Sequence, residues 1–200
     1  SLFTYPLLDD PSYYFSGLVA NDNFAGFFRY FFFFTCAVTA YLTYGAKDLA
    51  DKGRSEFHLM LLAVLFGMNL MACANNLLVL YIGIETVSIV SFVMAGFHRR
   101  SLRSNEASLK YLVFGALASG LMIYGFSLIY GYTGTLSYPD IAKFLGSNTD
   151  RQPILLTLSF FLVYAGLAYK ISAFPMHFWT PDVYEGAPTA VATFFSVGPK

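Results

Sequence analysis

Three ionisable residues in or beside apolar runs of this 200-residue chain could do chemistry: Glu85, Lys110 and Lys170. A carboxyl group and a set of amines can hand protons to one another where burial and mutual charge keep each group near the point of exchange. Glu85 is the strongest candidate. It is the one charge in residues 77–97, LLVLYIGIETVSIVSFVMAGF, a run long enough to cross a bilayer as one helix. At ~1.5 Å rise per residue it lies roughly 12 Å from one end of that run and 18 Å from the other, too deep to reach water by stretching along the helix. An ionisable group at such depth costs at least ~2.5–3.5 kcal/mol and usually faces a bundle interior, where it works. Tyr81 and Ser88, at i−4 and i+3, share its helical face and are both able to hydrogen-bond it. The plainer reading is a structural carboxyl locked in a polar packing network.

The lysines each have a plain reading beside the chemical one. Lys110 follows Glu106 by four residues near the start of the next apolar run, where an i, i+4 ion pair and a snorkelling side chain would explain it. Beyond it, Gly115, Ala116, Ala118, Ser119 and Gly120 form a patch small enough for a neighbouring helix to approach closely, and that approach would bring Glu85 near Lys110. Lys170 stands five residues before Pro175, either as a snorkelling terminal lysine or as a dehydrated, proton-exchanging one, with Gly166 at i−4 leaving room beside the ammonium. His177, between Met176 and Phe178, reads as a packing residue, and Asp182, after Pro181, as a cap on the following turn. The setting of Lys200, the last residue, is not fixed by spacing. No His or Cys pair has metal-ligand spacing, and no phosphate loop or dinucleotide fingerprint is present.

These residues need a membrane bundle to position them. Hydrophobic residues make up 56% of the chain and charged ones only 12%, against about 25% in soluble domains. The mean hydropathy is +0.56. Net charge is zero, so nothing points to nucleic-acid binding. Cys36 and Cys73 lie inside apolar runs and read as small packing residues rather than a disulfide pair. Residues 1–23 read as an interfacial, extracytoplasmic loop. Residues 24–45 form a peripheral span, with Arg29 near its start, where it can snorkel, and a basic loop runs to residue 56. Further spans follow at 57–74, 77–97, 107–130 and 154–174, the last stopped by Pro175, and a sixth begins near Ala187. Helices are required because the bilayer core offers no water to unpaired backbone groups. Lys47, Lys52 and Arg54 in one loop and Arg99, Arg100 and Arg103 in another put both loops on the cytoplasmic side. The acidic N-terminal segment, the Asn75-Asn76 turn and residues 131–153, with a short surface helix at 139–145, then share the other side. The Ser at position 1 and an apolar run still in progress at Lys200 suggest an excerpt of a longer chain.

RSNEASLKYLVFGALASGLMIYGFSLIYG, residues 103–131, resembles the antiporter-like membrane subunits of respiratory complex I, and so does YKISAFPMHFWTPDVYEGAPTAVATFFSVGPK, residues 169–200. The run FPMHFWTPDVYEGAPT is highly specific, and IGIETVSIVSF around Glu85 fits as well. The resemblance implies an all-α transmembrane bundle in which residues 57–200 are the first of two inverted five-helix repeats, with a proline-broken helix. It implies that Glu85 pairs with Lys110, that Lys170 is the central lysine and that Lys200 is the next station of a proton path. It also implies a subunit of a proton-translocating NADH:quinone oxidoreductase in a bacterial inner membrane, or in a mitochondrial inner or thylakoid membrane. The partners would be the other membrane subunits of that complex. NADH, FMN, iron–sulfur clusters and quinone would be bound by partner subunits, with no cofactor in this chain. The alternatives are a subunit of a multisubunit cation/proton antiporter or of a membrane-bound hydrogenase, and a purely structural spacer.

Overall fold

The computed structural model describes residues 11–45, 53–98, 100–147 and 153–199. Among the described residues eight helices follow a short hairpin: β1 (Ser12–Tyr14), β2 (Val19–Asn21), α1 (Asn23–Gly45), α2 (Arg54–Ala72), α3 (Leu77–Ala95), α4 (Leu102–Thr133), α5 (Tyr138–Ser147), α6 (Pro153–Lys170), α7 (Thr180–Gly186) and α8 (Thr189–Val197). Helices α1 to α4 are each long and apolar enough to cross a membrane. The fifth full span expected at 154–174 is shorter: α6 stops at Lys170, and residues 171–179 run in turns, with Ser172 at a φ of 56°. The break comes five residues ahead of Pro175, because proline disturbs the turn before it as well as its own.

The bundle is apolar on the outside. On α1, Phe24, Phe27, Phe33 and Phe34 point outward, while its buried residues are small: Ala25, Gly26, Thr35, Cys36, Thr39 and Thr43. Leu59, Leu62 and Phe66 on α2 and Leu109, Val113 and Leu117 on α4 are likewise exposed. Soluble monomers rarely carry apolar surface on this scale, and lipid accepts it. The thiols are packing groups. Cys36 lies in the main core, and Cys73 donates to the Asn69 carbonyl at 3.0 Å.

Small residues set the helix crossings. A Cβ on Gly67 or Gly83 would fall 3.1 Å from the other residue's carbonyl oxygen, so α2 and α3 touch backbone to backbone there. Helix α4 meets α6 in the same way. A Cβ on Gly125 would stand 2.9 Å from Ser159 O, and one on Gly166 would stand 2.9 Å from Ala118 O and 2.5 Å from Met122 Cβ. Gly166 therefore makes room for α4, not for the Lys170 ammonium. Gly115 admits the Phe92 ring from α3, whose nearest carbon would lie 2.5 Å from a Cβ. The α3–α4 register is pinned by Ser104 Oγ, which donates to Ala95 O at 2.8 Å, and by Ser108 Oγ, which donates to Phe92 O at 2.7 Å.

One end of the bundle is knitted by backbone. The N-terminal segment read as a loop contains the β1–β2 hairpin, turned by Phe15, Ser16 and Gly17 in left-handed conformation. Ala20 N donates to Cys73 O at 2.8 Å, and Asn75 N donates to Leu18 O at 3.0 Å. Leu77 N donates to Leu136 O at 3.0 Å, and Tyr138 N donates to Asn75 O at 3.3 Å. The hairpin, the Asn75-Asn76 turn and the segment after α4 are thus one layer, whose backbone groups satisfy each other outside regular helix. Arg29 Nη1 donates to Asn21 Oδ1 at 2.8 Å, tying α1 to that layer.

Candidate functional site

Glu85 lies on α3, Ser119 on α4 and Lys170 at the last residue of α6. Ser119 Oγ donates to Glu85 Oε1 at 2.5 Å and accepts from Lys170 Nζ at 3.0 Å. Lys170 Nζ also donates to Ser88 Oγ at 2.7 Å and stands 3.6 Å from Glu85 Oε1. The Phe92 ring centroid is 5.9 Å from the ammonium, within cation–π range. The side chains of Lys170 and Glu85 keep only 12% and 22% of their exposure. A buried carboxylate and ammonium, bridged and hydrogen-bonded in this way, meet the condition under which buried charge is tolerated.

The register explains the meeting. From the Ser108–Phe92 staple, three turns along α4 lead to Ser119, and two turns back along α3 lead to Glu85. The Gly166 and Gly125 crossings then bring α6 against the same stretch of α4.

Lys110 is elsewhere. Nine residues before Ser119, it lies ~13 Å nearer the start of α4. Its Nζ is 2.7 Å from Asp182 Oδ2 and 2.7 Å from Glu106 Oε1. The expected Glu85–Lys110 pair is therefore replaced by two pairs, Glu85 with Lys170 and Lys110 with Asp182. The small patch on α4 does admit neighbouring helices, but it does so opposite Ser119, deeper than Lys110. Asp182 spends its carboxylate on Lys110, and α7 has no side-chain cap. Arg103 and Glu185, 3.5 Å apart, complete this charged cleft of about 170 Å³.

An aromatic layer lies beside both clusters. Tyr111 stacks on Trp179 with centroids 4.4 Å apart and planes at 8°. Trp179 Nε1 donates to Tyr169 O at 3.0 Å, a carbonyl at the end of α6 that also accepts from Ser172 N at 3.1 Å, and Tyr169 Oη donates to Tyr111 O at 3.1 Å. Tyr111 is one residue from Lys110, and Tyr169 is one residue from Lys170. A cavity of about 300 Å³ opens on Lys170 and Ser88 and is walled by Phe28, Phe32, Tyr111 and Trp179, reaching Pro199. Lys200 lies outside the described residues. His177, read as a packing residue, is exposed, with its ring centroid 5.7 Å from that of Phe174. Among the described residues no group of three His, Cys, Asp or Glu side chains could hold a metal ion.

A family model described as NADH:quinone oxidoreductase/Mrp antiporter, transmembrane, matches residues 74–200. The chain belongs to this NADH:quinone oxidoreductase/Mrp antiporter family. Within the family it is 43% identical over 190 residues to NADH-quinone oxidoreductase subunit N 2 of Rhizobium meliloti, an alignment covering 95% of this chain and 39% of that one. The chain thus spans about two fifths of the length of the curated relatives it matches. A chain of respiratory complex I from Thermus thermophilus superposes with a TM-score of 0.74 at 34% identity, over 95% of this chain and 40% of that one. A chain of the archaeal membrane-bound sulfane sulfur reductase superposes with a TM-score of 0.73 at 26% identity, over 90% and 36%. The antiporter-like helical architecture expected from the resemblance is the one observed.

Ser119 is the site residue that sequence reasoning missed. Among glycines and alanines it reads as a packing residue. The available signal was its hydroxyl, the one polar group in that small patch. Of the two expected partners of Glu85, Ser88 serves Lys170 instead, giving its own proton to Ile84 O at 2.7 Å. Tyr81 rests its ring on Phe126 at 6.4 Å.

Proposed function

We propose that this chain is part of a proton-translocating membrane subunit of an NADH:quinone oxidoreductase, and that Glu85 and Lys170 are its central proton-exchanging pair. The observation that carries this reading is the 3.6 Å approach of a carboxylate in the middle of α3 and an ammonium at the end of α6, both largely buried, beside a cavity large enough for several waters. Two unit charges at that distance interact by about 4–5 kcal/mol at an effective dielectric near 20. A change in the charge of Glu85 is therefore ample to decide whether Lys170 keeps or releases its proton.

Lys110, with Glu106 and Asp182, marks the mouth of the path on the basic-loop side, where acidic and basic groups collect protons from water. Tyr111, stacked on Trp179, adjoins Lys110 in the chain and walls the cavity that opens on Lys170, so in this reading water enters as the stack shifts. Lys200, the residue after Pro199 in the sequence, is the next acceptor in this reading. Redox chemistry with NADH, flavin, iron–sulfur clusters and quinone belongs to partner subunits in this reading, and coupling reaches this chain as an electrostatic or conformational signal.

The test is Glu85→Gln and Lys170→Ala in the assembled enzyme containing the full-length chain. Each is expected to abolish proton pumping that depends on NADH oxidation. Full pumping at full electron-transfer rate in both variants overturns the reading. Sodium-dependent transport without quinone reduction would instead assign the chain to the cation/proton antiporter branch of the family.

A further inference from the structure

The direct contact between Lys170 Nζ and Glu85 Oε1, at 3.6 Å, is beyond hydrogen-bond length. Both groups are within it of Ser119 Oγ, at 3.0 Å and 2.5 Å. The hydroxyl accepts from the ammonium and donates to the carboxylate, so its two hydrogen bonds point the same way. We infer that Ser119 is a proton-relay residue through which Lys170 and Glu85 exchange a proton. This rests on the proposed role of that pair.

The step balances on the groups present. A Lys170 N–H bond breaks and its proton joins Ser119 Oγ. The Ser119 O–H bond breaks and that proton joins Glu85 Oε1. Each electron pair stays on the atom its proton leaves. The products are a neutral amine, a neutral carboxyl and an intact hydroxyl carrying a different hydrogen, and the reverse step restores the ion pair. Neither charge has to move through the apolar interior, because the dipole is annulled in place.

Ser88 sets the contrast. It also accepts from Lys170, at 2.7 Å, but its own proton is committed to the Ile84 carbonyl, a neutral acceptor that holds no proton. Ser88 positions the ammonium and leads nowhere. Ser119 is buried at 5% exposure, beside Ala118, which closes on Gly166 of α6. Its hydroxyl is thus held by helix packing rather than by solvent.

The experiment compares Ser119→Ala and Ser119→Cys in the assembled enzyme with the full-length chain, with assembly verified by native electrophoresis. Alanine keeps the volume and removes the exchangeable proton. Cysteine keeps a proton in nearly the same space. Coupled pumping is expected to fall about tenfold or more in Ser119→Ala, the scale of a lost proton-transfer group, and to stay within about threefold of the parent in Ser119→Cys. Equal pumping in the two assembled variants, whether both near the parent or both lost, overturns the relay. Glu85→Gln and Lys170→Ala run alongside. If they stop pumping while Ser119→Ala does not, the relay fails and the pair stands. If they too pump normally, the proposed function itself fails.

Discussion

Lys110 holds Asp182 at 2.7 Å across 72 residues of chain, and this bond moors α7 to the start of α4. Both side chains are substantially exposed, at 39% and 49%, so the pair is a locating contact more than a stabilising one. Asp182→Asn is expected to leave assembly intact and to lower thermal stability slightly, with the difference from the parent shrinking as salt screens the contact. Thermal unfolding of the assembled enzyme at low and high ionic strength checks this. A large, salt-independent loss would contradict it.

Charge alone at position 170 does not suffice for the proposed exchange. Lys170→Arg keeps the positive charge, but a guanidinium does not release its proton at physiological pH and cannot pass one on through the hydroxyl of Ser119. Assembled Lys170→Arg enzyme is expected to lose coupled pumping as fully as Lys170→Ala. NADH-driven acidification in vesicles is the measurement.

Gly166 fixes how deeply α6 seats against α4. A methyl there would meet Met122 Cβ at 2.5 Å and Ala118 O at 2.9 Å, and a backbone oxygen cannot turn aside as a side chain can. Gly166→Ala is expected to destabilise the bundle by about 1–3 kcal/mol, the usual range for overpacking, and to draw Lys170 away from Ser119. Reduced pumping together with a lower unfolding temperature is the expected pair of observations. Gly120→Ala, where a Cβ meets nothing within 4 Å, is the control expected to change neither.

Trp179 serves the end of α6 by two means, the stack on Tyr111 and the indole bond to the Tyr169 carbonyl. Trp179→Phe keeps a ring and loses the bond, for an expected cost of about 1 kcal/mol. Trp179→Ala also empties the stack, for an expected cost of about 3–5 kcal/mol. The order parent, Phe, Ala in thermal stability checks the assignment. Equal loss in the two variants would mean that the hydrogen bond, not the ring, carries the effect.

Much of the architecture is legible in the order of residues. Apolar runs of bilayer length separated by short polar segments specify the spans, because lipid leaves the backbone no other partner than its own helix. Glu85 and Lys170 stand out by the cost of burying a charge. Helix α6 ends four residues short of Phe174, where the apolar run ends, since Pro175 marks a break without saying how far back it reaches. The hairpin at 12–21 is not legible in the sequence, because its strands are short and are completed by backbone from Cys73, Ala74 and Asn75.

What the amino-acid order determined by itself is which residues are too costly to bury idly. Which of them meet was decided only by the tertiary structure. Helical periodicity gives each side chain a face, but its partner depends on how far one helix slides along the next. Here that slide is fixed by contacts distant in sequence: Ser108 on Phe92, Gly115 under the Phe92 ring, Gly166 on Ala118. They place Ser119, not Lys110, opposite Glu85, and they turn a serine that reads as packing into the link between the two buried charges.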